Sequence, residues 1–353
     1  MKKARHIYWF AHYNLSCPSV RYRGYYPLEY IRKHLGISYS FVYPQRNFKG
    51  FLKFLKIFME VLFFRKKHSL IVIQKVHSQG FFSSLLKLLV WARPSDTLYD
   101  TDDADYIRYP TATLHYFLQH CAHVTVGSSP LATYAASFNA RVEVLTTPVI
   151  EHTERKTKLS EKFTIGWVGD FGNNNPNAKG YAHRTAFYET LLPALLQLNF
   201  PVRLVLLGIK TSSDIPILKA SVAQNPNIEL FAPENLDWQQ DDWVYPEITK
   251  FDIGVSPLTD HEFNRAKSAF RAKQYMSCGV PVIASGFGEN LKFVKHNYNG
   301  LIATTPDDFY SAIVKFKNMP EVEYKQYCAN ALNAVSNFHI AEYARRLLET
   351  GQE

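Results

Sequence analysis

Lys267, Arg271 and Gln274 follow one another at i, i+4 and i+7 in RAKSAFRAKQYMSCG. On a helix over Ala266–Cys278 this spacing puts all three on one face, with Ala269, Ala272 and Met276 mostly on another. An Arg beside a Lys on a ligand-facing helix suits a diphosphate: the guanidinium is a planar donor fork and the ammonium a compact charge. Further on, Ser285-Gly-Phe-Gly-Glu-Asn290 joins an apolar run to a helix expected through Phe293–His296. Gly286 and Gly288 allow close backbone approach, and the amides from Gly288 through Glu289, Asn290 and Leu291 could receive an anion at a helix start. The plainer reading is that the cations are solvated and the glycines only turn the chain. Spacing alone does not separate the two.

Other residues with chemical potential lie upstream. Gly169-Asp170-Phe171-Gly172, a run of asparagines and Lys179-Gly180 form a Gly/Asn-rich loop before a helix, which can wrap a phosphate or sugar with backbone amides. The loop is not G-x-G-x-x-G and lacks a Gly-Lys-Ser/Thr ending, which weakens nicotinamide and ATPase readings. Trp238, in PENLDWQQDDW, could stack on a nucleotide base or fill a core. In the first half, YDTDDADYIRYP gathers Asp100, Asp102, Asp103 and Asp105. Alternating aspartates can hold a divalent metal, yet the diphosphate-suited residues lie far downstream. That distance weighs against a metal at Asp102 and Asp103. Arg21 and Arg23, at a loop-to-helix entry, and His77, after the run LIVIQ, are acceptor-side candidates; two surface arginines are the bland alternative.

These side chains need a scaffold. Short apolar runs recur at His6–Phe10, Tyr39–Tyr43, Leu70–Gln74, Thr97–Asp100, His123–Gly127 and Arg141–Leu145. They resume at Phe163–Val168, Arg203–Gly208, Ile228–Ala232, Ile253–Pro257 and Val280–Ala284. Runs of this length alternating with helical stretches predict buried parallel strands of α/β sheets, whose ligands collect beyond the carboxyl ends. Glu151–Glu161 is polar and aperiodic, the expected linker. Thr305 followed by Pro306 predicts a capped helix start. Asn47–His68 predicts a strongly apolar helix interleaved with Lys49, Lys53 and Lys56, suited to packing on the sheet or to an anionic membrane surface.

Taken together, the order DIGVSPL, K-x-x-x-R-x-x-Q-Y-M-x-C-G-V-P-V-I-A-S, N-x-x-G-L over Phe251–Ile302 resembles the donor-binding half of retaining glycosyltransferases of GT-B architecture, the family 4-like group. The resemblance implies two Rossmann-like domains facing a cleft: 1–155 on the acceptor side, 156–338 binding a nucleotide-sugar donor, and a carboxyl-terminal helix (339–353) crossing back to the first. It implies that Lys179 contacts the donor diphosphate, with Arg271 taking over a cation position that Asp170 does not fill, and that Asp102 and Asp103, at a strand end lining the cleft opposite the donor, hold sugar or acceptor hydroxyls. It also implies transfer with retention in glycan or cell-envelope polysaccharide synthesis. Ala266 and Gln274 occupy the places of the family's usual Glu pair.

A formal net charge of +9 implies an anionic partner. The expected partners are a nucleotide-sugar, a glycan or lipid-linked acceptor, and an anionic membrane surface through 47–68. Nucleic acid is not expected, because the aromatics between the lysines lie on the apolar face where packing uses them. No cofactor or metal is expected. Cys17, Cys121, Cys278 and Cys328 form no C-x-x-C pair, and neither a signal-peptide pattern nor a membrane-spanning run is seen, so the expected location is cytoplasmic or peripheral on the inner membrane face. Two competing readings are a nucleotide-sugar epimerase of the same architecture and a non-catalytic basic membrane- or RNA-binding protein.

Overall fold

The computed structural model describes residues 6–45, 47–171, 180–209, 214–233 and 241–351. Two compact units emerge: 1–148 with 266–268 and 338–353, and 149–265 with 269–337.

The first unit is built on six parallel strands in the order β2-β1-β3-β4-β5-β6. They are β1 His6–Ala11, β2 Ser38–Val42, β3 Ser69–Gln74, β4 Thr97–Thr101, β5 His123–Val126 and β6 Val142–Val144. β1, β3, β4 and β5 are buried throughout, as continuous apolar runs in a doubly covered sheet should be. Helix α1 (Tyr26–Leu35) ends at Gly36 in the left-handed conformation (φ 66°), where the missing Cβ removes the penalty. α2 (Phe48–Phe63) and α3 (Phe81–Ala92) follow β2 and β3. Asn47 caps α2, its side chain accepting from the Gly50 amide at 2.7 Å. The carboxyl-terminal helix Ile340–Thr350 packs on α1 within this unit, burying Tyr343, Ala344 and Leu347 against Ile7, Leu28 and Ile31.

The second unit holds β7 Thr164–Val168, β8 Val202–Leu207, β9 Ile228–Phe231, β10 Ile253–Ser256, β11 Val282–Ser285 and β12 Gly300–Ala303. All are parallel, in the order β12-β11-β10-β7-β8-β9. Trp167, Phe187, Leu204, Val255, Ile283 and Phe309 are among its core residues. The segment expected as a linker is anchored here: Lys156 pairs with the buried Asp252 at 2.8 Å. Asp252 also accepts from the Ser160 and Thr164 amides.

Strand order locates the chemistry. In each sheet the winding reverses once, between β1 and β3 and between β7 and β10, and ligands of such sheets bind beyond the carboxyl ends at that reversal.

Candidate functional site

In the second unit the reversal is spanned by Tyr275. Its hydroxyl accepts from the Val168 amide at the end of β7 (2.8 Å) and donates to the Val255 carbonyl of β10 (3.3 Å). Tyr275 belongs to the helix Phe270–Ser277, which also carries Arg271. The Arg271 Nε donates to the Val168 carbonyl at 2.6 Å, and its guanidinium lies over the Trp167 ring at 4.9 Å. A Cβ on Gly169 would meet Arg271 Nη2 at 2.7 Å, so only glycine lets the cation lie against this strand end. Asp170, next along, offers its carbonyl 3.1 Å from His183 Nδ1. Arg271 Nη2 lies 3.1 Å from His183 Nδ1 and 3.4 Å from its Nε2, placed to donate to whichever ring nitrogen carries no proton. Burial lowers the Arg271 pKa from its ordinary value.

The Gly288 turn belongs to the same unit. Gly288 has φ 59°, and a Cβ there would lie 2.6 Å from the Arg265 carbonyl, so it is a glycine position on two counts. Asn290 is buried and donates to the Ser285 carbonyl at 3.1 Å. Glu289 is buried 3.7 Å from Lys292, and Leu291 is half-exposed. The expected helix at Phe293–His296 lies instead at Asn290–Phe293. Gln274 is buried, as is its neighbour Lys273, whose ammonium lies 4.8 Å from the Phe293 ring. A buried Lys at 273 carries no sequence signal, since nothing in the helical pattern distinguishes it from its solvated neighbours. Gly172, Lys179 and Trp238 lie outside the described residues.

The expectation for Lys267 is corrected. No helix runs over Ala266–Cys278: Ala269 is left-handed (φ 50°) and the helix begins at Phe270. Residues 266–268 belong to the first unit, held there by Ser128 Oγ donating to the Ala266 carbonyl at 2.5 Å and Thr146 Oγ1 to the Ser268 carbonyl. Lys267 therefore does not share a helical face with Arg271. It acts electrostatically on Asp103.

The first unit gathers its own polar cluster at the β1/β3 reversal. Lys75 follows β3 with φ 54°, and its ammonium lies 2.9 Å from Asp102 and 2.5 Å from Asp103. Ser19 Oγ donates to Asp102 at 2.6 Å. Burial pulls the Lys75 ammonium down, but Asp102, Asp103 and Asp105 outweigh it and leave it well above its ordinary value. Burial raises Asp103, yet Lys75 and Lys267 more than reverse that and hold it at about 2. Asp103 is also the more open carboxylate, at 25% exposure against 8% for Asp102. Burial raises the Asp105 carboxyl to about 7, with Lys75 opposing and Asp103 and Asp102 adding.

His77 packs beside this group. Its Nε2 is 2.8 Å from the Tyr13 hydroxyl, and its ring stacks on Tyr109 at 4.1 Å. Burial, then His12, Lys75 and Arg108, push it down to about 3. Burial and Lys75 hold His12 at about 4. Both imidazoles are neutral near pH 7, so the cluster presents a locked ion pair and neutral hydrogen-bonding groups, which suits a hydroxyl-bearing ligand. His12, Tyr13 and Tyr109 were missed by sequence reading because they converge only through the side-by-side placement of β1, β3 and β4. Among the described residues, no group of three or more His, Cys, Asp or Glu side chains is placed to hold a metal ion.

Arg21 and Arg23 are corrected as acceptor-side candidates. Arg23 is fully buried, paired with Asp100 through Nε (3.0 Å) and Nη2 and donating to the Leu145 carbonyl at 2.5 Å. Arg21 Nη1 donates to the Leu15 and Ser16 carbonyls, pinning the loop after β1. The physical reason is that Val20–Tyr25 is enclosed on every side: residues 20–24 are buried in succession, so an arginine here meets protein whichever way it points.

Residues 162–318 match the family model described as glycosyl transferases group 1. No curated protein sequence matches the chain. Among solved structures, sucrose-phosphate synthase from Thermosynechococcus elongatus is 13% identical with a TM-score of 0.68, covering 98% of this chain and 98% of that one. A glycosyltransferase from Rickettsia africae ESF-5 is 13% identical with a TM-score of 0.63, over 99% of this chain and 98% of that one. HepE of Anabaena, solved in complex with UDP and glucose, is 14% identical with a TM-score of 0.61, over 98% and 99%. The two parallel sheets and the family match define the class, a glycosyltransferase of GT-B architecture. Within that class, the match to glycosyl transferases group 1 spans residues 162–318, which lie in the second unit apart from 266–268.

Proposed function

We propose that this chain transfers a hexose-type sugar from a nucleoside-diphosphate sugar to an acceptor hydroxyl, with retention of anomeric configuration, in glycan or cell-envelope polysaccharide synthesis. The observation that carries the reading is Arg271 lying against the Gly169 backbone at the β7 strand end. A guanidinium, a bare glycine backbone and the Gly288–Leu291 turn are the groups a pyrophosphate calls for. HepE, a neighbour in fold, has also been solved with UDP-glucose. In this reading Arg271 and Lys179 take up the charge that develops on the leaving diphosphate, a preorganised electrostatic role that needs no metal. Asp103, the open carboxylate, and His77 receive acceptor or sugar hydroxyls.

The test is a thermal-shift screen of the whole chain against UDP, GDP and ADP and their sugars. A ligand at a hundred times its dissociation constant adds about 2.7 kcal/mol, so one nucleotide series should respond clearly, and turnover with it should survive EDTA. Product NMR then reads the anomeric configuration. No response to any of the three series would overturn the proposal.

A further inference from the structure

α2 and α3 each carry two apolar faces, and the fold covers one. At about 100° per residue, Phe54, Ile57, Phe58 and Val61 of α2 share a side and are buried. Phe48, Leu52, Met59 and Phe63 fall within an arc of about 60° on the opposite side, and all four are exposed. α3 repeats the arrangement: Leu86, Leu89 and Val90 are buried, while Phe81, Leu88 and Trp91 face the other way and are exposed. Sequence reading placed the α2 aromatics on one packing face. Phe63 corrects it, and so does Phe51, which is also exposed.

The two stripes lie side by side. At the helix starts Phe51 packs near Phe81 at 6.2 Å and Phe54 on Phe82 at 4.8 Å. At their ends Arg93 Nη2 donates to the Leu62 carbonyl at 2.7 Å. The helices are therefore parallel in one layer, presenting an apolar double stripe roughly 24 Å long. Its most open members are Trp91 (74% exposed) and Phe48 (73%), and Phe64, just past the end of α2, is 80% exposed. Lys49, Lys53 and Lys56 line the outer flank of α2 between its two apolar faces and are exposed. Among the described residues no ion pair involves them. The one carboxylate on this helix, Glu60, accepts from the Tyr8 hydroxyl at 2.7 Å.

We infer that this face docks on an anionic lipid bilayer. Aromatic and aliphatic side chains enter the boundary between headgroups and acyl chains, while Lys49, Lys53 and Lys56 meet lipid phosphates. Charge complementarity selects this occupant. A second copy of the chain would set the same lysine row against itself around a two-fold axis, whereas an anionic surface satisfies the row along its length. The inference does not rest on the sugar-transfer reading.

The test is co-sedimentation of the whole chain with vesicles of phosphatidylcholine alone and of phosphatidylcholine with phosphatidylglycerol. Binding is expected only to the second kind, weakening as salt rises. Replacing Lys49, Lys53 and Lys56 together by Gln should weaken it on the order of 100-fold, roughly fivefold per lysine. Phe48→Ser with Phe63→Ser should abolish it. Both variants should keep the wild-type melting temperature and the wild-type response to nucleotides, because every altered side chain is exposed. That second readout also separates failure here from failure of the donor assignment. Equal binding to both vesicle types, no binding to either, or variants that sediment like wild type would overturn the inference. So would a lipid-free dimer that the two Phe substitutions disperse.

Discussion

Two kinds of charge are set by single residues. Arg271 is partly buried, tied to the β7 carbonyl by its Nε and to His183 by its Nη2, so Nη1 is the arm of the fork that would meet an anion. Arg271→Ala should cut turnover on the order of 100–1000-fold with the urea midpoint of unfolding unchanged. Wild-type turnover would refute its place at the leaving group. The histidines predict how stability responds to acid. His6, His12 and His77 are depressed to about 4, about 4 and about 3, burial being the main cause in each. Each favours folding fully above its ordinary value of 6.5 and loses that contribution as pH falls through its folded value. Asp105, raised to about 7, works in the opposite sense: its contribution is present below its ordinary 3.8 and lost as pH rises through 7. Three groups against one give a net fall in stability from about pH 6.5 down to 4, measurable by denaturant titration, and His77→Asn should make that fall shallower.

At the scale of elements, the helix Phe270–Ser277 is positioned by one hydroxyl. Tyr275 bonds to β7 and β10 and packs its ring against Gly254, where a Cβ would lie 2.2 Å away. Tyr275→Phe leaves the Val168 amide buried without that acceptor, at a cost of about 1–3 kcal/mol. Because Arg271 rides on the same helix, the substitution should also raise the donor KM more than it lowers kcat. A variant with unchanged stability and KM would show that the helix is held by packing alone. Element boundaries were legible wherever the signal was local. Thr305 forms the capping box with Asp308 that opens the helix Pro306–Lys317, and Gly36 ends α1 in the left-handed conformation. The helix expected from Ala266 failed because Ala269 turns left-handed, which no propensity for alanine announces.

For the whole molecule, the carboxyl-terminal helix Ile340–Thr350 completes the core of the first unit. Tyr343 covers the Arg23 guanidinium at 5.5 Å, and Arg346 pairs with Glu143. Leu347 is fully buried. Leu347→Ala should destabilise the first unit by about 2–5 kcal/mol while leaving nucleotide affinity in the second unchanged. Hydrogen exchange resolved by segment would show the loss in β1 and α1; uniform loss across both sheets would mean that the units unfold as one.

What the amino-acid order determined is whatever depends on near neighbours: eleven short apolar runs out of twelve strands, the α/β alternation, caps and glycine turns. It also carried the 251–302 pattern, because β10, the helix Phe270–Ser277 and β11 follow one another in the chain. Tertiary structure decided which charges meet. Arg23 finds Asp100, Lys75 finds Asp102 and Asp103, and Lys267 leaves Arg271 for the first unit, because each pairing is made by strand order and backbone winding rather than by spacing. Periodicity marks a face as apolar, but only packing shows whether a neighbour covers it, and on α2 and α3 one face of each is left bare.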